Sequence, residues 1–160
     1  MRDSGEAIAM SLDLRHVTPL LQVFDMPRAL RFYRDVLGFG VVESSAFRGT
    51  DDCDWIWLRR DSIEVMLNTA YEHHARPERA DPARVAAHDD TILFIGCPDV
   101  DAAFEYLKAR GVALDPPKDA PYGMRQLHLH DPDGYGICLQ WSLPRDASAP
   151  KDLDTSPMEG

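Results

Sequence analysis

Glu64, Cys138 and three histidines, His16, His128 and His130, are the residues of this chain best equipped for chemistry. A carboxylate in apolar surroundings has a raised pKa and can serve as a general base. The same carboxylate could instead hold a cationic ligand by charge. A thiol beside an imidazole can form a nucleophile–base pair, with His128 as the cross-strand neighbour of Cys138. Nothing in the sequence identifies the orienting acid or the oxyanion donors such a pair needs, and a buried inert cysteine is the simpler reading. Histidines sharing a face with Glu64 could ligate zinc, nickel or iron. Equally, they could line a polar surface at its wet rim.

An internal repeat with an offset of 74 residues decides which positions share a surface. DMPRALRFYR from Asp25 maps onto DVDAAFEYLK from Asp99, and Ile63-Glu64-Val65-Met66-Leu67 maps onto Ile137-Cys138-Leu139-Gln140-Trp141. Thr18 and Ile92 stand at the same spacing. A period this long means one supersecondary unit used twice, with corresponding positions facing one another or a common cavity.

Each unit reads as β-α-β-β-β. The pattern from His16 to Phe24 fits a strand ending at Asp25, a good helix N-cap, with Pro27 in the first turn. Leu30, Phe32, Tyr33, Val36 and Leu37 recur at helical spacing until Gly38 stops the helix. Extended segments follow at Val41–Phe47, Asp54–Leu58 and Ile63–Asn68. In the second unit Thr91–Cys97 is a strand, Asp99 caps a helix ending at Gly111, and Val112–Leu114 is extended. A hairpin, Met124–His130 and Tyr135–Leu143, closes around Asp131-Pro-Asp-Gly134, a strong turn signal. The fold class is therefore α+β, with tandem modules over 13–68 and 91–143 in one domain, 13–143. Residues 69–90 are charged, contain two prolines and read as a linker that holds His73, His74 and His88, with the adjacent pair His73-His74 solvated. Residues 1–12 read as a flexible leader and 144–160 as a disordered tail.

Strand alternation assigns the faces. Leu127, Leu129, Ile137, Leu139 and Trp141 suit packing on helices, which leaves Gln126, His128, His130, Cys138 and Gln140 on the opposite, inward face. Ile63, Val65 and Leu67 go to the helix side, and Glu64, Met66 and Asn68 go inward. Val17, Leu21 and Val23 take the helix side of the first strand, with His16, Thr18, Leu20 and Gln22 inward. Ile92 and Phe94 are inward on the fifth strand. An even-length turn at Arg60-Asp61, pairing Leu58 with Ile63, would turn Trp55 and Trp57 inward as well. An odd turn would bury them under a helix, and the inward arrangement is the expectation.

Composition limits the partners. The 160 residues suit a single domain, and a formal charge of −10 without clustered Lys or Arg argues against nucleic acid. The same charge either favours a cationic small molecule or only keeps the protein soluble. No apolar run approaches the roughly 20 residues of a membrane span. The N-terminus lacks the basic start and apolar stretch of a signal peptide. Three cysteines, odd in number and far apart, suggest free thiols in a reducing cytoplasm. No phosphate-binding loop is visible.

The run from Asp25 to Phe39, the IEVMLN segment from Ile63, and Tyr122-Gly-Met-Arg through Asp131-Pro-Asp-Gly-Tyr-Gly-Ile-Cys138 resemble the vicinal oxygen chelate superfamily. That superfamily includes glyoxalase I, extradiol dioxygenases and the bleomycin-resistance proteins. The resemblance implies two βαβββ modules forming a curved mixed sheet around a cavity, with helices outside. It also implies a homodimer whose cavities form between modules of both chains. Metal-dependent members use four inward His or Glu side chains, and the matching positions here are Thr18, Glu64, Ile92 and Cys138. Only Glu64 is a strong ligand, so no metal and no other cofactor is expected.

The resemblance then implies a metal-free binding protein of the bleomycin-resistance type, sequestering a hydrophobic, cationic molecule such as an antibiotic. Trp55, Trp57, Met66, Phe94 and Tyr122 would form its walls. Thr18, Glu64, Gln126, His128, Cys138 and Gln140 would supply the polar lining. Two alternatives stay open. One is a lyase, isomerase or dioxygenase-like enzyme, with a metal displaced onto His16, His128 and His130 or with Glu64 as base. The other is a paralogue whose cavity is filled by its own side chains.

Overall fold

The computed structural model describes residues 11–145. The expected leader and tail therefore lie almost wholly outside the described residues. The chain divides into two compact units, with the boundary in sequence between Arg76 and Pro77.

The first unit runs β1 (Leu20–Val23), α1 (Met26–Leu30), β2 (Gly40–Ser44), β3 (Trp55–Arg60) and β4 (Ile63–Thr69). Past Leu30 the helix continues over Arg31–Val36 with the wider π winding. The sheet order is β1-β4-β3-β2, with β1 parallel to β4 and the other pairs antiparallel. Leu21, Val23, Ile56, Leu58, Val65 and Leu67 are buried together with Met26, Ala29, Leu30, Phe32 and Tyr33 of the helix. Each such side chain contributes about 1.5–3 kcal/mol by leaving water. Gly38, at φ +79, ends the helical run, and Arg60 donates to the Leu37 carbonyl there. This satisfies an acceptor that the helix end would otherwise leave open.

Three details depart from the sequence reading. β1 begins at Leu20 rather than His16, because Pro19 has no N–H to give and offers only its carbonyl to Met66. Val17 is consequently 87% exposed, not on the helix side, and His16 is exposed as well. Asp25 holds the N-cap position without a side-chain cap bond, and its carboxylate accepts from Arg76 instead. The hairpin turn is Asp61-Ser62, with Arg60 opposite Ile63 and Leu58 opposite Val65. Its length is even, so Trp55 and Trp57 share the face of Glu64, Met66 and Asn68.

The second unit contains α2 (Pro82–Ala87), β5 (Ile92–Gly96), α3 (Val100–Ala109), β6 (Lys118–Ala120), β7 (Met124–His130) and β8 (Gly136–Ser142). Its sheet order is β5-β8-β7-β6, with β5 parallel to β8, repeating the first topology. Two tandem βαβββ modules are thus present. Asp99 caps α3 by accepting from the Ala102 amide at 2.9 Å. Val100 and Leu107 of α3 and Leu127, Leu129 and Ile137 of the sheet are buried. The Asp131 carboxylate accepts from the amides of Asp133 and Tyr135, which fixes the β7–β8 turn.

Here too the structure corrects expectations. Within residues 69–90 Asp81 caps α2 through the Ala83 amide. His88 is partly buried. It stacks on Tyr135 with ring centres 4.1 Å apart, and its Nδ1 lies 2.7 Å from the Asp133 carbonyl. Gly134, at φ +89, lets α2 approach this turn: a Cβ there would lie 2.3 Å from the Val85 carbonyl oxygen of α2. The stretch Val112–Leu114 is irregular, and the edge strand forms only after Pro116-Pro117. Trp141 is exposed at the end of β8 instead of packing fully under the helix.

Candidate functional site

In each module the face turned away from the helix core carries the polar and aromatic side chains. On the first module Glu64 of β4 lies directly opposite Arg59 of β3. Arg59 donates to Oε1 through Nε at 2.9 Å and Nη2 at 2.8 Å. The Thr18 hydroxyl and the Trp57 indole N–H donate to Oε2 at 3.1 and 3.2 Å. The Arg59 guanidinium also lies over the Trp57 ring, 5.3 Å from its centroid. Arg59 above all, helped by Thr18 and Trp57, holds the Glu64 carboxyl below the ordinary carboxylate range and outweighs the opposing effect of burial. Of the two readings of Glu64 this favours the charge-holding carboxylate over a general base with a raised pKa. Half-buried Trp55, Trp57 and Met66 adjoin the cluster, and the Asn68 amide donates to Gln22 at 3.3 Å.

The second module carries a neutral network on the corresponding face. The buried Gln126 side-chain amide donates to the Tyr122 oxygen at 2.7 Å and to Gln140 Oε1 at 2.8 Å. With both donors engaged, its own Oε1 faces His128 Nε2 at 3.4 Å and calls for a proton on that nitrogen. The same nitrogen lies 3.8 Å from the Cys138 sulfur. A nitrogen that donates to Gln126 is not a base for the thiol. Burial also pushes the Cys138 thiol up, away from the thiolate. The nucleophile–base reading therefore has neither a free base nor an activated sulfur. Phe94, opposite Cys138, and Ile92 are 55% and 45% exposed and present open apolar surface, as does Tyr122.

The four positions that would hold a metal do not fit one. Both Glu64 oxygens are engaged by protein donors, Thr18 is a donor in that cluster, Cys138 is a buried thiol and Ile92 has no donor atom. The displaced set is not assembled either. His16 is exposed ahead of β1, His130 pairs with Asp89 at 2.6 Å, and His128 belongs to the Gln126 network. Among the described residues no group of three or more His, Cys, Asp or Glu side chains could hold a metal ion. No helix among them is long and apolar enough to cross a membrane.

Within the first module the structure brings together Thr18, Trp57 and Glu64, flanked by Trp55 and Met66. Within the second it brings together Tyr122, Gln126, His128, Cys138 and Gln140, flanked by Phe94. Arg59 is the residue that the sequence reading missed. The signal was available, because alternation from Trp55 through Trp57 reaches Arg59 on the same face.

A duplicated βαβββ unit with polar and aromatic side chains opposite its helices defines the class of protein. The family model for the Glyoxalase/Bleomycin resistance protein/Dioxygenase superfamily matches residues 13–139, and the chain belongs to that superfamily. Among solved structures it is similar to a glyoxalase/bleomycin resistance protein/dioxygenase from Nocardioides, with 17% identity and a TM-score of 0.64 over 91% of this chain and 95% of that one. TioX from Micromonospora sp. ML1 matches at 22% identity and a TM-score of 0.62, over 81% of this chain and 99% of that one. TnmS3, an antibiotic binding protein from Streptomyces sp. CB03234, matches at 26% identity and a TM-score of 0.57, over 84% of this chain and all of that one. No curated protein matches the chain in sequence.

Proposed function

We propose that this protein binds a hydrophobic, cationic small molecule, of which an antibiotic is one example, and holds it without transforming it. One observation carries the reading: the groups that could do chemistry are bonded or titrated in the wrong direction for it. Glu64 is held ionised by Arg59, and the Cys138 thiol is pushed up beside an imidazole already engaged with Gln126. What remains on the two faces is surface suited to binding. Trp55, Trp57, Met66, Phe94 and Tyr122 provide flat or soft apolar contacts, each good aromatic contact adding about 0.5–1.5 kcal/mol. Thr18, Glu64, His128 and Gln140 add polarity and one charge, over the buried Gln126 and Cys138. The formal charge of −10 favours a cationic ligand. The likeness to an antibiotic binding protein at 26% identity supports the same class. The protein would act metal-free, in the cytoplasm, as a homodimer, with neither nucleic acid nor membrane as partner.

Thermal shift and calorimetric titration against a panel of cationic aromatic drugs test this, with mass spectrometry of the recovered compound. At least one compound should raise the melting temperature and be recovered unchanged. A protein purified without chelator that carries one equivalent of nickel, zinc or iron, or a compound recovered in altered form, would overturn the reading. A panel without a single response would favour a protein that acts through protein contacts alone.

A further inference from the structure

Glu64 and Arg59 differ in how firmly the fold holds them. The Glu64 side chain is 19% exposed, and its Oε2 is fixed by Thr18 and the Trp57 indole, neutral groups that stay in place whatever occupies Oε1. The Arg59 side chain is 46% exposed and reaches Oε1 on a stem of three methylenes. An ion pair at this exposure is held weakly in water and exchanges readily. Its guanidinium sits in a geometry that suits any planar cation: two N–H groups on one carboxylate oxygen and an aromatic ring alongside.

The geometry points to a cation subsite formed by Glu64, Trp57 and Thr18, which Arg59 occupies until the guanidinium or amidinium group of a ligand replaces it. Planarity is what the subsite selects. An ammonium would meet the carboxylate but lacks the flat fork that also lies along Trp57. Arg59 then acts as a built-in competitor that lowers affinity and sharpens specificity, because an incoming cation must outmatch it. This inference deepens the proposed function and rests on its cationic ligand, but its test does not depend on finding that ligand.

The probes are benzamidinium and methylguanidinium, with methylammonium at matched ionic strength as the control. The readout is the indole N–H resonance of Trp57, one of three tryptophans in the chain. In Arg59→Ala and Arg59→Gln the planar cations should shift this resonance saturably, at least tenfold more tightly than in the unmodified protein. Methylammonium should bind at least fivefold more weakly than methylguanidinium. The double variant Arg59→Ala/Glu64→Gln should not saturate. In the unmodified protein, saturation with benzamidinium should move the Arg59 Nε–H resonance together with that of Trp57. Equal affinity with and without Arg59, or binding that survives loss of Glu64, overturns the subsite. If the drug panel fails while this titration succeeds, the subsite stands and the storage function falls. The reverse result leaves the function standing and removes the subsite.

Discussion

Glu64 and Cys138 hold the same place in the repeat, each opposite a basic side chain, Arg59 in one module and His128 in the other. Their surroundings differ. In the first module Thr18, Trp57 and Arg59 converge on a carboxylate and keep it ionised. In the second, Gln126, Gln140 and Tyr122 bond among themselves, and Ile92 and Phe94 lie open beside a neutral thiol. The helix sides diverge less, with Leu58 of β3 and Leu127 of β7 fully buried at matching positions, although Trp141, the counterpart of buried Leu67, is exposed. Duplication thus preserved the scaffold that sets which way a side chain points, and left the exposed chemistry of the two faces free to separate.

The comparison can be broken first at the cores. Leu58→Ala and Leu127→Ala should each destabilise by about 2–5 kcal/mol in urea melts, because both side chains are fully buried and leave a cavity. His128→Ala should cost less, about 1–3 kcal/mol, for the oxygen of buried Gln126 that it leaves unpaired. A core variant costing under about 1 kcal/mol would show that the helix sides are not equivalent.

Thiol labelling probes the second face. In the native protein partly exposed Cys97 should react with a disulfide reagent on the order of tenfold faster than buried Cys53 and Cys138, whose thiols burial pushes up. Labelling of Cys138 at the rate of Cys97, followed by peptide mass spectrometry, would restore the activated-nucleophile reading.

Acid titration probes the first face. The folded-state pKa of Glu64 lies below its ordinary value of 4.5. The stabilisation it provides is therefore complete above that value and disappears as pH falls through the folded pKa. The melting temperature of Glu64→Gln should trail the unmodified protein at neutral pH and converge with it in acid. A gap that persists at the lowest pH would mean that Arg59 does not control this carboxylate. The smallest effect belongs to Phe94→Ala. It should weaken a bound aromatic ligand about two- to tenfold, the value of one lost aromatic contact, and leave the melting temperature almost unchanged.

Much of this arrangement was legible in the residues. Alternation placed Glu64, Met66, Gln126 and Cys138 on the correct faces because a period of two leaves no other choice once one face is buried. The capping role of Asp99 and the Asp131-Pro-Asp-Gly134 turn were readable for similar local reasons. Pro19 was overlooked, and with it the late start of β1. His88 received no role because its partners, Asp133 and Tyr135, lie more than forty residues away and no local pattern announces them. Glu64 stayed open between a general base and an ionised counter-charge because Arg59, across a two-residue turn, was not counted.

In both modules the outermost strand is made early and pairs late. Leu20 of β1 waits for Met66, and Ile92 of β5 waits for Gly136, since a parallel partner cannot be reached through a hairpin. During synthesis each module must therefore leave its first strand unpaired until its last has emerged from the ribosome. Contacts of such long range slow folding, and the nascent chain passes through a stage in which an apolar strand edge is open to a chaperone or to a neighbouring chain.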